Sequence, residues 1–164
     1  MKTHIGDMFP ENSLYIYNTG NMEKTNTYKI FDNKKVIIFG MPGAFTPTCS
    51  NYHIPSIIDQ MKNLQKKGMY EIFCLVVNDI HVTKAWAEQT NAIKTGLKFI
   101  TDPDGKLVNK LNLSFSAPEI GLINRSKRFC LILENLIIKQ IFLETERGVC
   151  DVTLGKNILD QIEK

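Results

Sequence analysis

The sequence predicts an α/β fold, with a central mixed sheet flanked by helices and an N-terminal hairpin extension. Three observations carry that expectation. Strand-like and helix-like segments alternate through the first two-thirds of the chain, and two late apolar segments read as an antiparallel hairpin joining the same sheet. The length of 164 residues, with 43% hydrophobic and 23% charged, suits one good core and is short for two. No internal repeat, low-complexity block or Gly/Ser/Pro-rich linker divides the chain, so residues 1–164 are expected to form one domain.

Each element follows from local pattern. Leu14 to Tyr17 and Thr27 to Phe31 alternate well enough for two strands, with the turn chemistry of Asn18-Thr19-Gly20-Asn21 between them. Lys35 to Gly40 is apolar without alternation, as in a central strand covered on both faces. After the loop Met41 to Pro47, a helix is expected from near Thr48 to about Lys67, kinked or interrupted at Pro55 and stopped by Gly68. Glu71 to Val77 reads as a second buried strand and Thr83 to Thr90 as a helix. Phe99-Ile100 is a short strand entering the turn Asp102-Pro103-Asp104-Gly105, and Lys106 to Leu111 continues helically. Arg128 to Glu134 and Ile137 to Leu143 form the late hairpin, and Lys156 to Ile162 is a closing helix. This order is the pattern of a thioredoxin-like fold.

Composition narrows the function classes. The net charge of +3 is mild, and the densest basic cluster, Arg125-Ser126-Lys127-Arg128, lacks the broad stripe and interleaved aromatics of a nucleic-acid surface. No apolar run has the length of a membrane span, and Met1 to Pro10 lacks a signal-peptide core. Nucleic-acid and membrane partners are therefore not expected. The four cysteines, Cys49, Cys74, Cys130 and Cys150, form no CxxC pair and no zinc-type cluster. No metal site is expected, and the missing CxxC counts against disulfide-reductase chemistry. Cys74 and Cys130 sit inside apolar runs where a buried reduced thiol is usual, which fits an intracellular, reducing compartment. Frequent Asn, Lys and Ile resemble the bias of an AT-rich genome.

Cys49 stands apart. A lone cysteine is ordinarily a small buried hydrophobe. This one follows a Pro- and Gly-containing loop after a buried strand, at the expected first turn of a helix, where unpaired N–H groups and the helix dipole favour an anion. A thiol so placed is expected to be largely thiolate, and the thiolate is the nucleophile. Thr46, three residues earlier, offers a hydroxyl that can accept a backbone N–H as a helix cap and donate to a thiolate or a bound oxygen. Pro42 and Pro47 stiffen the loop, and Gly43 permits close approach to its backbone. His53 falls one helical turn after Cys49.

These residues, Pro42-Gly43-Ala44-Phe45-Thr46-Pro47-Thr48-Cys49-Ser50 with His53-Ile54-Pro55, resemble the active-site signature of the peroxiredoxins. The resemblance is to the type-5 subfamily, called type II in plants, and extends to one-cysteine antioxidant proteins of protozoan parasites. Val77-Asn78-Asp79 with Trp86, the turn at Asp102-Pro103-Asp104-Gly105-Lys106, the run Arg125 to Phe129 and Asn157-Ile158-Leu159 continue it over most of the chain.

The resemblance implies a thiol-dependent peroxidase that reduces hydrogen peroxide and alkyl hydroperoxides through a Cys49 sulfenic acid, for antioxidant defence and redox homeostasis. Pro42, Thr46, Cys49 and Arg128 match its catalytic set. Gly43 and Phe45 would border the substrate, and Arg125 would be a second participant or an ion-pair partner. His53 would make a structural hydrogen bond rather than act as a base. No cofactor is implied. Cys74 and Cys150 match regions where some members carry a resolving cysteine, although alignment on Asn157-Ile158-Leu159 puts Val152 at the animal-type position. The preferred cycle uses Cys49 alone, with glutathione and glutaredoxin as reductant. Thioredoxin acting through a resolving Cys74 or Cys150 is the alternative, and a non-enzymatic redox sensor built on Cys49 is a further one. A homodimer is expected, with Phe45 and Met41 in an apolar rim around the site, or Met41 simply in the core. The cytoplasm, or a mitochondrion or plastid after removal of a leader, would be the compartment.

Overall fold

The chain folds in the order β1 (Ser13–Asn18), β2 (Asn21–Asn26), α1 (Thr27–Phe31), β3 (Lys35–Gly40), α2 (Ile54–Gly68), β4 (Glu71–Val76) and α3 (Ile80–Gln89). It continues with β5 (Lys98–Thr101), α4 (Lys106–Lys110), β6 (Ser114–Ala117), β7 (Leu122–Ser126), β8 (Phe129–Glu134), β9 (Ile137–Leu143) and α5 (Gly155–Ile162). This computed structural model describes residues 2–162. Seven strands form one sheet in the order β2-β1-β5-β4-β3-β8-β9, and β6 and β7 pair separately. The centre is parallel (β5, β4, β3), while β8 and β1 run antiparallel to their neighbours, so the sheet is mixed.

The apolar runs that show no alternation in sequence divide strictly by the two-residue period of a strand. Ile37 and Phe39 of β3, Ile72, Cys74 and Val76 of β4, and Cys130 and Ile132 of β8 enter one core with Cys49, Trp86 and Ile158. Val36 and Ile38, Phe73 and Leu75, and Phe129, Leu131 and Leu133 enter the other, with Phe9, Phe31 and Leu107. Phe39 pairs in register with Cys74 on one side and Cys130 on the other, so both cysteines share the Cys49 face.

Five local expectations are corrected. Thr27 to Phe31 is a helical turn rather than a strand: the Asn26 side chain accepts from Tyr28 N at 2.8 Å and caps it, and Thr27 and Phe31 are buried one turn apart while Lys29 is exposed. The second hairpin strand is Asn21–Asn26, which follows directly on the expected turn, where Asn18 pairs with Asn21 and the two central residues have left-handed φ of 45° (Thr19) and 84° (Gly20). The helix after the loop is not uniform. Cys49–His53 is a π-helical turn, and α2 begins only after it, with Pro55 in its first turn. The helix includes Gly68, and the left-handed cap is the exposed Met69, φ 58°. Elsewhere α3 starts earlier than expected, because Asp79 accepts from His81 N and Val82 N at 2.9 Å each. The short polar β6–β7 pair had no readable pattern.

Candidate active site

The end of β3 delivers the loop Met41 to Pro47, and the π turn behind it carries Cys49 and His53. A π turn holds one more residue than an α turn, with Ile54 N bonding to Cys49 O. Cys49 and His53 are both fully buried and both point at Arg128, which stands immediately before β8 and is 3% exposed. Arg128 Nη2 lies 3.4 Å from Cys49 Sγ, and Arg128 Nη1 lies 3.0 Å from His53 Nδ1.

A guanidinium only donates, so His53 Nδ1 accepts and the ring proton sits on Nε2, which donates to Thr153 O at 3.0 Å. Burial, then the Arg128 charge, push the His53 pKa down to about 3 against the opposing pull of that carbonyl. His53 is thus neutral at physiological pH and a fixed acceptor for Arg128. Thr153 is held in turn by Glu144, whose Oε1 accepts from Thr153 Oγ1 at 2.7 Å, Thr153 N at 2.9 Å and Asp151 N at 2.8 Å. Glu144 N also donates to Arg128 O at 3.1 Å. Neither Glu144 nor Thr153 carries a local sequence signal; only the fold puts them behind His53.

The loop is braced from two sides. Thr46 Oγ1 donates to Gly43 O at 2.8 Å, so its proton is committed inside the loop and it caps no helix, contrary to the expected N–H acceptor role. Asn78, at the end of β4, accepts from Ala44 N at 2.9 Å. Arg125 Nη1 reaches Pro42 O at 3.5 Å. A Cβ on Gly43 would lie 2.5 Å from that Nη1, so a larger residue there would have to displace the end of the Arg125 side chain from the loop. Phe45 takes a left-handed φ of 60° and is 49% exposed, a strained backbone at the tip of the loop. Met41, for which rim and core were both open, is fully buried in the core.

Pro42, Phe45, Thr46 and Arg128 line one cavity of about 320 Å³ beside the buried Cys49. Its further wall comes from Ile120, Leu122 and Arg147, which no sequence pattern indicated. Gly43 stands one layer back, against Arg125.

All four cysteines are free thiols. Cys74 is fully buried, with its sulfur 3.9 Å from Met41 Sδ, and burial pushes its pKa far up. Cys130 is raised likewise by burial alone. Cys150 is half-buried, and burial raises it to about 11 despite the nearby Arg128 charge and a hydrogen bond with Thr153. Cys74 shares the core face of Cys49, and Cys150 lies within electrostatic reach of Cys49 and Arg128.

The chain is similar to known proteins over nearly all of its length. The Redoxin family model matches residues 4–158. Peroxiredoxin-2C of Arabidopsis thaliana is 40% identical over 156 residues, covering 94% of this chain and 95% of that one. The structure of reduced Prx3 from Vibrio vulnificus in complex with hydrogen peroxide superposes with a TM-score of 0.89 at 32% identity, covering 98% of this chain and 96% of that one. The Plasmodium falciparum antioxidant protein, a 1-Cys peroxiredoxin, superposes with a TM-score of 0.87 at 26% identity over 99% of each chain.

Proposed function

The chain belongs to the Redoxin family and is a peroxiredoxin, a thiol-dependent peroxidase with an antioxidant function, and from that premise we propose that Cys49 is the thiol that attacks peroxide. The observation that carries this is the Arg128 guanidinium 3.4 Å from the Cys49 sulfur, both buried beside a cavity that opens on the loop.

The cycle follows from the groups present. The Cys49 thiolate attacks the terminal oxygen of R–O–O–H. An S–O bond forms, the O–O bond breaks, and the departing RO⁻ takes a proton from solvent. Sulfur is oxidised to a sulfenic acid and the peroxide is reduced to ROH. Arg128 faces both the sulfur and the cavity, where charge spreads over the two oxygens. Thr46, its own proton committed to Gly43 O, offers lone pairs to the O–H of the incoming peroxide. Pro42 and Phe45 wall the reacting oxygens from bulk water.

The sulfenic acid returns to thiol with two reducing equivalents: two thiols become one disulfide and one water is released. We assign this step to glutathione with glutaredoxin, in a cycle that needs Cys49 alone. Support comes from the other sulfurs: with a pKa near 11, Cys150 holds little thiolate at pH 7, and Cys74 lies sealed in the core. A resolving cysteine with thioredoxin is the second reading, favoured by the electrostatic proximity of Cys150 to Cys49. The cycle requires a reducing compartment, cytoplasm or organelle. A homodimer is part of the same reading, and exposed Phe45 and Ile120 supply apolar surface for it.

Stopped-flow consumption of hydrogen peroxide and tert-butyl hydroperoxide by the reduced protein tests the assignment. Cys49→Ser should abolish consumption. The Cys74→Ser/Cys150→Ser variant should keep turning over with glutathione and glutaredoxin; stalling after one event would move the assignment to a resolving cysteine. A wild-type rate no faster than free cysteine would remove Cys49 from the reaction.

A further inference from the structure

We propose that Arg147 selects organic hydroperoxides that carry a carboxylate, binding the carboxylate at the wall of the cavity while the peroxide end meets Arg128 and Cys49. The inference rests on the assignment of Cys49 as the peroxide-reducing thiol and names the substrate class that this site favours.

The cavity is far larger than hydrogen peroxide requires. At about 320 Å³ it falls in the range of sites that hold a small organic molecule, whereas one water occupies about 30 Å³ of liquid. Its walls are unequal. Phe45, Pro47, Ile120 and Leu122 provide apolar surface suited to a hydrocarbon body. Two cations line it, and they differ in kind. Arg128 is 3% exposed and committed to the Cys49 sulfur and His53. Arg147 has a 44% exposed side chain and, among the described residues, makes one ion pair, with the 67% exposed Glu119 at 3.4 Å.

A long, exposed, single-contact pair of this sort contributes little to stability. A ligand carboxylate can displace Glu119 and meet the fork of the guanidinium with two parallel hydrogen bonds. Arg147 stands in the segment between β9 and α5, and Glu119 in the turn between β6 and β7. The charge therefore sits on surface loops, while the reacting groups sit on the π turn and at the entry to β8. An anionic organic hydroperoxide satisfies both ends at once: apolar body against the loops, carboxylate at Arg147, O–O bond at Arg128.

The test uses one rigid probe in two charge states, the para-carboxylate of cumene hydroperoxide and its methyl ester. Second-order rates with reduced protein are measured by stopped-flow for wild type, Arg147→Gln, Arg147→Glu and Glu119→Gln. In wild type the acid should react about two- to fivefold faster than the ester at low salt, the range for an exposed ion pair, and the ratio should shrink toward one as salt is raised. Arg147→Gln should bring the ratio to about one and Arg147→Glu below one. Glu119→Gln, which frees Arg147, should raise it. A wild-type ratio of one, or a ratio that ignores both Arg147 substitutions and salt, overturns the proposal. Failure of wild type to reduce either probe or hydrogen peroxide instead overturns the Cys49 assignment, so the two failures are distinct.

Discussion

His53 Nδ1 accepts a hydrogen bond from Arg128 Nη1 at 3.0 Å, and the same guanidinium reaches the Cys49 sulfur through Nη2 at 3.4 Å. The imidazole thus acts on the thiol only through the arginine. His53→Gln keeps a side-chain acceptor and should hold the peroxide rate within about fivefold of wild type. His53→Leu leaves a buried guanidinium donor unpaired, which costs about 1–3 kcal/mol of stability. It also frees Arg128 to move, and should lower the peroxide rate by about ten- to a hundredfold. Stopped-flow rates with urea denaturation on the same samples check this. Equal rates in the two variants would remove the positioning role.

Two buried groups oppose one another in the pH dependence of stability. His53 has a folded pKa lowered to about 3 by burial and then by Arg128. The unfolded chain therefore binds the extra proton, and His53 makes stability fall as pH drops from about 6.5 toward 3. Asp102 is fully buried, with Oδ1 unpartnered and Oδ2 accepting from Val108 N at 3.0 Å. Burial first raises its folded pKa to about 6. The native state then binds the extra proton, so Asp102 makes stability rise as pH drops from about 6 to 4. Between pH 6 and 4 the two slopes offset. Asp102→Asn should lose stability more steeply than wild type over that interval, and His53→Gln less steeply. Urea midpoints at pH 4, 5, 6 and 7 give the comparison, and parallel curves for all three proteins would reject it.

Thr46 serves the loop and the cavity with different ends of one hydroxyl. Its proton goes to Gly43 O at 2.8 Å, and the residue lines the cavity, where we assign its lone pairs to the incoming peroxide. Thr46→Val keeps the shape but removes both, and should slow peroxide reduction by about tenfold or more while costing about 1 kcal/mol of stability. Thr46→Ser should stay within about threefold. A valine variant as fast as wild type would show that only the shape of the side chain matters.

Gly155 opens α5 where it crosses α2. A Cβ there would lie 2.3 Å from Ser56 O, and Gly155 N bonds to Ser56 Oγ at 3.2 Å. Gly155→Ala must push the helices apart at a site of backbone contact, with an expected loss of about 1–3 kcal/mol. Because Ser56 Oγ donates to His53 O at 2.7 Å, the peroxide rate should drop as well. Thermal and urea unfolding together with stopped-flow measure both. An unchanged midpoint would mean that the helices can part without loss.

The sequence alone determined whatever rests on contiguous pattern. Residues 42–49 were readable because a Pro- and Gly-containing loop, a threonine and a cysteine at a helix start have their meaning within eight positions. The buried strands were readable because apolar runs bounded by turn residues leave few alternatives. Thr27 to Phe31 was misread because five residues are too few to separate a period of 2 from one of 3.6; the Asn26 cap and the packing of Phe31 decided it. The tertiary structure alone decided what depends on distant segments meeting: His53 against Arg128, Glu144 holding Thr153 behind them, and Arg147 in the cavity wall. These contacts span sequence separations for which the chain carries no local signal. Only the closing of β8, β9 and the following loop onto the π turn brings the groups within hydrogen-bond reach.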